Sequence, residues 1–494
     1  VINKSKHEYI LSVEILAKQL QVGLFDYFGK NLALAKIMLE NDEPNYAISE
    51  IDPNDWLASL KAAMRVLFAR YYFRAEDISA ITITGDFGII VPTDNKGNAI
   101  RKAIINTNGK IDYALEDILK DKSFLDLDVF KSKNWSKEAG SQPLRASQEA
   151  LSALLYFKHK LDAIYNQTDL FLEAKDFLAI KLGAAPFSTP DSAISNHFVD
   201  ISDNQYIPKL LNICGIDGKK LPPIVASAMQ IGELNALAAE ELGLVKDIPI
   251  FSADSIIHTN ILGAGLLHQN SGLFYAGHDA WISQSIGSKL LNNKEISTTI
   301  FSNRTFAHSV RFGGLNVLDF FIKNFTLENN SKDEIEKFAR FFELAQQSVS
   351  GAHKLFFVPM HAQNYSNNET FSGFYRTQYQ HKTADFVRSV LEGIIFFAKL
   401  KFSEIQKFTS DTEEITAIGD MACNPFFVQL IADIFARNVN VPDHPDAASL
   451  RGAAFLVSLQ KNRITPEDIA SLVKAEKIVE PDKKGSEKYA YLYE

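Results

Sequence analysis

"YILSVEILAKQLQVGLFDYFGK", residues 9–30, reads as an apolar strand, a connection, a second apolar strand and a turn at Gly29. Short apolar runs bounded by turn signals are strands, and two of them so close in sequence pair as a hairpin. The connection is Glu14-Ile15-Leu16-Ala17-Lys18-Gln19, with no glycine and no hydroxyl. A hairpin that lets an anionic group approach its backbone wants the first, and one that adds a side-chain donor wants the second. This hairpin has lost such chemistry or never had it.

Working outward, strand-like runs alternate with helical stretches, the pattern of an α/β protein. The helical "DWLASLKAAMRVLFARYY" precedes the strands "ISAITITG" and "GIIVPTD", and "TDNKGNAI" supplies Asn and Gly for a turn. From about Ala146 to Leu182 the apolar spacing of three and four predicts helix throughout. "DNQYIPKLLNICGI" and "GELNALAAEELGL" then read as short helices. A second α/β cluster opens at "DIPIFSADSI" and includes "SGLFYAGHDAWISQSI", "GGLNVLDFFIKNF" and "KLFFVPMH". A long amphipathic helix follows, with an expected apolar face of Phe386, Val390, Gly393, Phe397 and Leu400. The strand "EEITAIGD", the helix "PFFVQLIADIFAR" and the small-residue-rich helix "DAASLRGAAFLVSLQ" complete the cluster, and the charged residues from about Lys461 are expected to wrap the surface. Two similar domains are predicted, residues 1–245 and 246–494.

At 494 residues the chain is too long for one core. A net charge of -9 argues against general nucleic-acid binding and against a basic membrane-surface protein. Cys214 and Cys423 suggest neither a disulfide framework nor a zinc site, as suits a reducing compartment. The longest apolar runs are far short of a spanning helix. With no secretory segment at the start, a soluble cytoplasmic protein is expected, without nucleic-acid or membrane partners; a homodimer is left open.

Taken in order, these segments resemble the FGGY carbohydrate kinases, particularly xylulose-kinase-like members, over nearly the whole length. "YILSVEILAKQLQVGLFDYFGKNL" is similar to the family's first phosphate hairpin, and "ISAITITGDFGIIVPTDNKGNAIRKAIINTNGK" to its sugar-site region. "IPIFSADSIIHTNILGAG" resembles the strand–helix unit carrying the catalytic base, "SGLFYAGHDAWISQ" the second phosphate loop, and "ITAIGDMACNPFFVQLIADIFARNVNVP" the adenosine-site loop. The resemblance implies two ribonuclease-H-like (actin-like ATPase) domains with an interdomain cleft, ATP and Mg²⁺ as cofactors, and a small-molecule sugar such as a pentulose as substrate.

Position by position, the framework matches better than the chemistry. The family's Asp-x-Gly-Thr aligns with Glu14, Leu16 and Ala17; Glu14 keeps a carboxylate that could orient Mg²⁺, and Lys18 is the nearby charge available to a phosphate. Gly277-His278-Asp279 stands where the family has Gly-Thr-Ser, and a carboxylate beside a triphosphate repels it by about 1 kcal/mol in water and more in a closed cleft. His278 offers an acid or base, and Asp279 equally suits a turn. Gly419 and Asn424 are what persists of the adenosine loop, with Met421 as pocket wall or core filler. In the sugar region the aligned residues are Asp86, Phe87, Gly88 and Ile89, then Asn106, Asn108 and Lys110, all of the latter three polar enough to bind a polyol. The base position, counted from Pro249 and back from Gly263, is Ile256 by both counts. Asp254 is two residues earlier, about 6–7 Å away on an extended chain, whereas proton abstraction needs about 3 Å or one bridging water.

Three functions are consistent with these residues. The first is a family member whose sugar phosphorylation is weak or absent. The second is an active sugar kinase with Asp254 as base. The third is a sugar-binding or protein-interaction scaffold, for which the Phe-containing "TIFSNRTFAHSVRF" would be an exposed patch if it is not core strand.

Overall fold

The computed structural model describes residues 8–39, 49–105, 150–194, 198–200, 203–267, 272–287, 296–301, 304–309, 311–324, 334–361, 371–409 and 411–493. They form two compact units. One comprises Val1–Gly263 with Ser449–Leu472, the other Ala264–Ala448 with Val473–Glu494. Each unit is mixed α/β and is built on one large sheet.

In the first unit the opening hairpin forms with strands β1 (Tyr9–Ile15) and β2 (Gln19–Phe25), so Glu14, Ile15 and Gln19 lie in the strands and the connection shortens to residues 16–18; β3 (Asn31–Met38) follows. Asp52 caps helix α1 (Pro53–Arg70), its side chain accepting from the Asn54 N–H at 2.9 Å, and Pro53 supplies a preset first turn. Trp56, Leu60, Ala63, Met64 and Leu67 lie on one face of α1 and are buried. There they join Leu11, Val13 and Leu20 of the hairpin in one core. Strand β4 (Ile78–Gly85) is followed by β5 (Ile89–Thr93). The segment expected to be continuous helix up to Leu182 instead contains a strand, β6 (Leu170–Glu173), before helix α2 (Ala174–Leu182). Its Phe171 and Leu172 pair with β5, so ladder hydrogen bonds override the local helical spacing. A further unpredicted strand is β7 (Gln230–Glu233); β8 (Pro249–Ser255) and helix α3 (Ile256–Gly263) follow. The six-stranded sheet runs β7-β8-β4-β1-β2-β3. Within it β1, β4 and β8 are parallel, while β1, β2 and β3 are antiparallel.

The second unit repeats this plan. Its strands are β9 (Gly272–Ala276), β10 (Asp279–Ser285), β11 (Ile296–Phe301) and β12 (Arg304–Ser309), followed by helices α4 (Leu315–Asn324) and α5 (Thr383–Gln406). Then come β13 (Glu414–Ile418), α6 (Pro425–Phe435), β14 (Asn438–Pro442) and β15 (Ala475–Val479). The sheet order is β11-β12-β10-β9-β13-β14-β15. Strands β9, β13 and β14 are parallel, and β9, β10 and β12 antiparallel, matching the first unit strand for strand. This repeated arrangement of two α/β domains is that of the ribonuclease-H-like, actin-like ATPase class.

Three further expectations change. The buried side of α5 runs through Val387, Val390, Leu391, Ile394, Ile395, Ala398 and Phe402; of the expected face, Val390 and Gly393 are buried, Phe386 and Phe397 are half-buried and Leu400 is exposed. The stripe is rotated because α5 packs on one side against β10 and on another against the helix Glu334–Gln346. The tail does more than wrap the surface: β15 extends the sheet, and Tyr489 of the last helix is fully buried in the core. Phe306 of "TIFSNRTFAHSVRF" is buried on β12, so that residue belongs to core strand rather than to an exposed patch.

Candidate functional site

Glu14, Asp86 and Asp254 stand at the C-terminal ends of the parallel strands β1, β4 and β8. In open α/β sheets that edge is where ligands are held. Glu14 is enclosed and accepts a hydrogen bond from the Ser449 hydroxyl, delivered by the helix Ala448–Gln460 of the same unit. The hairpin turn closes through the Leu16 N–H to the Gln19 carbonyl at 2.9 Å. Leu16 and Ala17 at its tip are buried, and Lys18 is half-buried with its carbonyl accepting from the Leu39 N–H. Asp86 is buried, and its N–H donates to the Ile15 carbonyl at 2.9 Å, tying the loop after β4 to the hairpin. Asn106, Asn108 and Lys110 lie outside the described residues.

Around Asp254 the structure assembles groups the sequence did not connect. The Asp254 side chain is 1 % exposed. Its Oδ1 accepts from the Ser227 hydroxyl at 2.5 Å, and its Oδ2 is 3.1 Å from His258 Nδ1, one turn into α3. The other side of the imidazole, Nε2, is 3.4 Å from Asp191 Oδ1, and Asp191 Oδ2 accepts from the Ser255 N–H. Burial alone would raise the Asp254 carboxyl, but His258 and Ser227 outweigh it and hold it below the usual carboxylate range. Burial lowers His258, yet the Asp191 and Asp254 carboxylates prevail and push it up to about 9. The result is an imidazolium clamped between two carboxylates. Ile256, the aligned base position, is the first residue of α3 and is buried.

A second buried group, Glu173, Lys175 and Asp176, was missed as a cluster. Lys175 and Asp176 are fully enclosed, with Nζ 2.6 Å from Oδ1. Burial pushes Glu173 up to about 8, Asp176 adding to the rise, while Lys175, the Ser192 hydroxyl and the Gly88 N–H pull the other way. Three charged residues in four positions of an otherwise apolar segment, "FLEAKDFL", were the available signal.

In the second unit, Gly277 and His278 join β9 to β10, and Gly419 follows β13, again at the ends of parallel strands. Asp279 is buried: its Oδ1 accepts from Asn316 Nδ2 at 3.0 Å, and its Oδ2 is 3.5 Å from Arg311 Nη1. The carbonyls of Gly277 and His278 accept from the N–H groups of Leu315 and Asn316 at the start of α4. Gly419 has φ +94°, and a Cβ there would meet the Ala276 carbonyl oxygen at 2.6 Å. Only glycine allows β13 to deliver its loop this close to the end of β9. Asn424 caps α6, its Oδ1 accepting from the N–H groups of Phe426 and Phe427 at 3.0 and 3.3 Å, and Met421 is wholly buried in the core. Among the described residues no three His, Cys, Asp or Glu side chains converge as a metal site.

The N-terminal domain model of the FGGY family of carbohydrate kinases matches residues 9–257, and the C-terminal domain model of that family matches residues 296–460. The chain belongs to the FGGY family of carbohydrate kinases. It is 23% identical over 498 residues to a xylulose kinase of Staphylococcus epidermidis, covering 98% of this chain and 95% of that one. In fold, this family member superposes on a ligand-bound xylulose kinase from Lactobacillus acidophilus with a TM-score of 0.79 at 17% identity, over 98% of this chain and 96% of that one. A gluconate kinase from the same organism reaches 0.78 at 17% identity, with the same coverage of 98% and 96%. Two neighbours named for different sugars fit equally well, so the likeness carries the fold and leaves the substrate to the site residues. Among the described residues no helix is long and apolar enough to cross a membrane.

Proposed function

We propose that this FGGY-family protein binds a pentulose-like polyol through its first unit and has little or no ATP-dependent phosphotransfer activity. The observation carrying this reading is the enclosure of Asp254. Sugar phosphorylation needs a base within hydrogen-bond reach of the attacking hydroxyl and a proton-accepting lone pair to receive its proton. Both Asp254 oxygens are engaged, by Ser227 and by a cationic His258. A carboxylate stabilised in this way is a poor proton acceptor, and the aligned position beside it is the apolar Ile256.

The groups around the expected phosphates and metal support the same reading. The turn that would face a phosphate presents buried Leu16 and Ala17. Glu14, the carboxylate available to Mg²⁺, holds the Ser449 hydroxyl on its Oε1. Asp279 adds a negative charge in the second loop, tied to Arg311 and Asn316. These donor sets fit a triphosphate and its metal poorly, and no step is assigned to either.

The test is ADP release from ATP·Mg²⁺ with D-xylulose, L-xylulose, glycerol and gluconate, paired with isothermal titration of each component. Loss of a general base removes about 10²–10⁴ in rate, so sugar-dependent ADP release should be indistinguishable from the ATP-only blank. Sugar-dependent turnover that Asp254→Asn abolishes would instead establish an active kinase with Asp254 as base.

A further inference from the structure

The buried carboxyl of Glu173 ties together parts of the first unit that are far apart in sequence. Glu173 ends β6 and is the ladder partner of Ile90 on β5, two residues beyond Gly88. Its carboxyl accepts from the Gly88 N–H in the loop after β4 and from the Ser192 hydroxyl on the helix Pro190–Ile194. Gly88 itself has φ +79°, so the loop turns sharply at the residue Glu173 holds.

The charges around Glu173 do not balance if all are ionised. Lys175 and Asp176 of α2 form a direct pair at 2.6 Å, both fully enclosed. Tyr206 faces the same cluster from the strand Gln205–Tyr206, and Asp254 of β8 acts on Lys175 from a third side. One ammonium facing two carboxylates in a dry interior leaves a net negative charge, which burial makes costly. Lys175 is committed to Asp176, so the compensating proton belongs on Glu173.

We propose that Glu173 is the positioning residue of the Asp86–Gly88 loop, holding it when neutral and releasing it when ionised. A carboxylate is the better acceptor for a single N–H, but that gain is smaller than the cost of a second buried anion beside Asp176. Ionisation is relieved by letting water in, and the contact that gives way is the one to the Gly88 N–H. With Glu173 titrating at about 8, release falls just above neutrality. Binding of a polyol at this loop then becomes pH-dependent, whether or not a phosphate is transferred.

Amide hydrogen exchange of peptides spanning Asp86–Gly88 tests this, measured from about pH 6 to about pH 10 and corrected for the intrinsic chemical rate. In the unaltered protein, protection of the loop should fall by up to about tenfold per pH unit as pH rises towards about 8 and level off above it. In Glu173→Gln, which keeps a neutral acceptor at every pH, it should stay level. A level profile in the unaltered protein, or the same fall in the variant, overturns the proposal. Infrared difference spectroscopy of the unaltered protein guards against a variant that fails to fold. A buried protonated carboxyl band should disappear with a midpoint near about 8; absence of that band at neutral pH overturns the proposal equally.

Discussion

His258 Nδ1 stands 3.1 Å from Asp254 Oδ2, one helical turn along the chain, and carries a positive charge inside the first unit. The pair converts the carboxylate nearest the base position into half of an internal ion pair. Its other anion, Asp191, lies at 3.4 Å, so the imidazolium also fastens the helix Pro190–Ile194 to α3.

Alkaline lability follows from the signs of these shifts. His258 is raised from 6.5 to about 9 in the folded chain, so its stabilisation is complete below about pH 6.5 and is lost as pH rises through about 9. That span corresponds to about 3 kcal/mol. Glu173, raised from 4.5 to about 8, acts in the same direction: the native state favours its protonated form and loses that advantage as pH rises through about 8. Urea midpoints should therefore fall between pH 6.5 and pH 9, and less so in His258→Gln, which should already be weaker at neutral pH.

Arg388 holds the second unit together from its core. Its Nε is 2.7 Å from Glu392 Oε1, and its Nη2 donates to the Tyr489 hydroxyl at 2.9 Å, which in turn donates to Glu392 at 2.5 Å. Arg388→Ala leaves Glu392 as a buried carboxylate without its cation and should cost about 3–5 kcal/mol. Tyr489→Phe removes only the hydroxyl and should cost about 1–3 kcal/mol. Thermal unfolding of both variants checks the ordering.

Truncation at the hairpin tip should weaken the first unit. Leu16 is 2 % exposed, so Leu16→Ala should cost about 2–5 kcal/mol in chemical denaturation. Ser449→Ala should cost about 1–3 kcal/mol by leaving Glu14 without its hydroxyl donor. A solvent-facing loop residue would change stability by no more than about 0.5 kcal/mol.

Gly419→Ala combines an unfavourable φ of +94° with a Cβ 2.6 Å from the Ala276 carbonyl oxygen. The substitution should destabilise by more than about 1 kcal/mol and displace the loop from the end of β9. Loss of thermal stability with unchanged unfolding of the first unit, read by domain-resolved hydrogen exchange, is the expected pattern.

The hairpin, α1, the two strand–helix clusters and the long helix α5 were legible because each carries its own periodicity or turn chemistry. The strand β6 was not, because Leu170–Glu173 shares its apolar spacing with the helices on either side and only pairing with β5 distinguishes it. The stripe on α5 was misplaced for a related reason. Its apolar residues spread wider than a single stripe, and the neighbours it packs against decide which of them are buried.

The site divides along the same line. Chain order and turn residues alone place Glu14, Asp254, Gly277 and Gly419 at strand ends, and the apolar residue at 256 is a fact of the sequence. Only tertiary structure brings Ser449 to Glu14, Asp191 to His258 and Gly88 to Glu173. Sequence records which groups can carry charge. Their protonation and reach depend on burial and on partners 435 residues away for Glu14 and Ser449, contacts that no local pattern encodes.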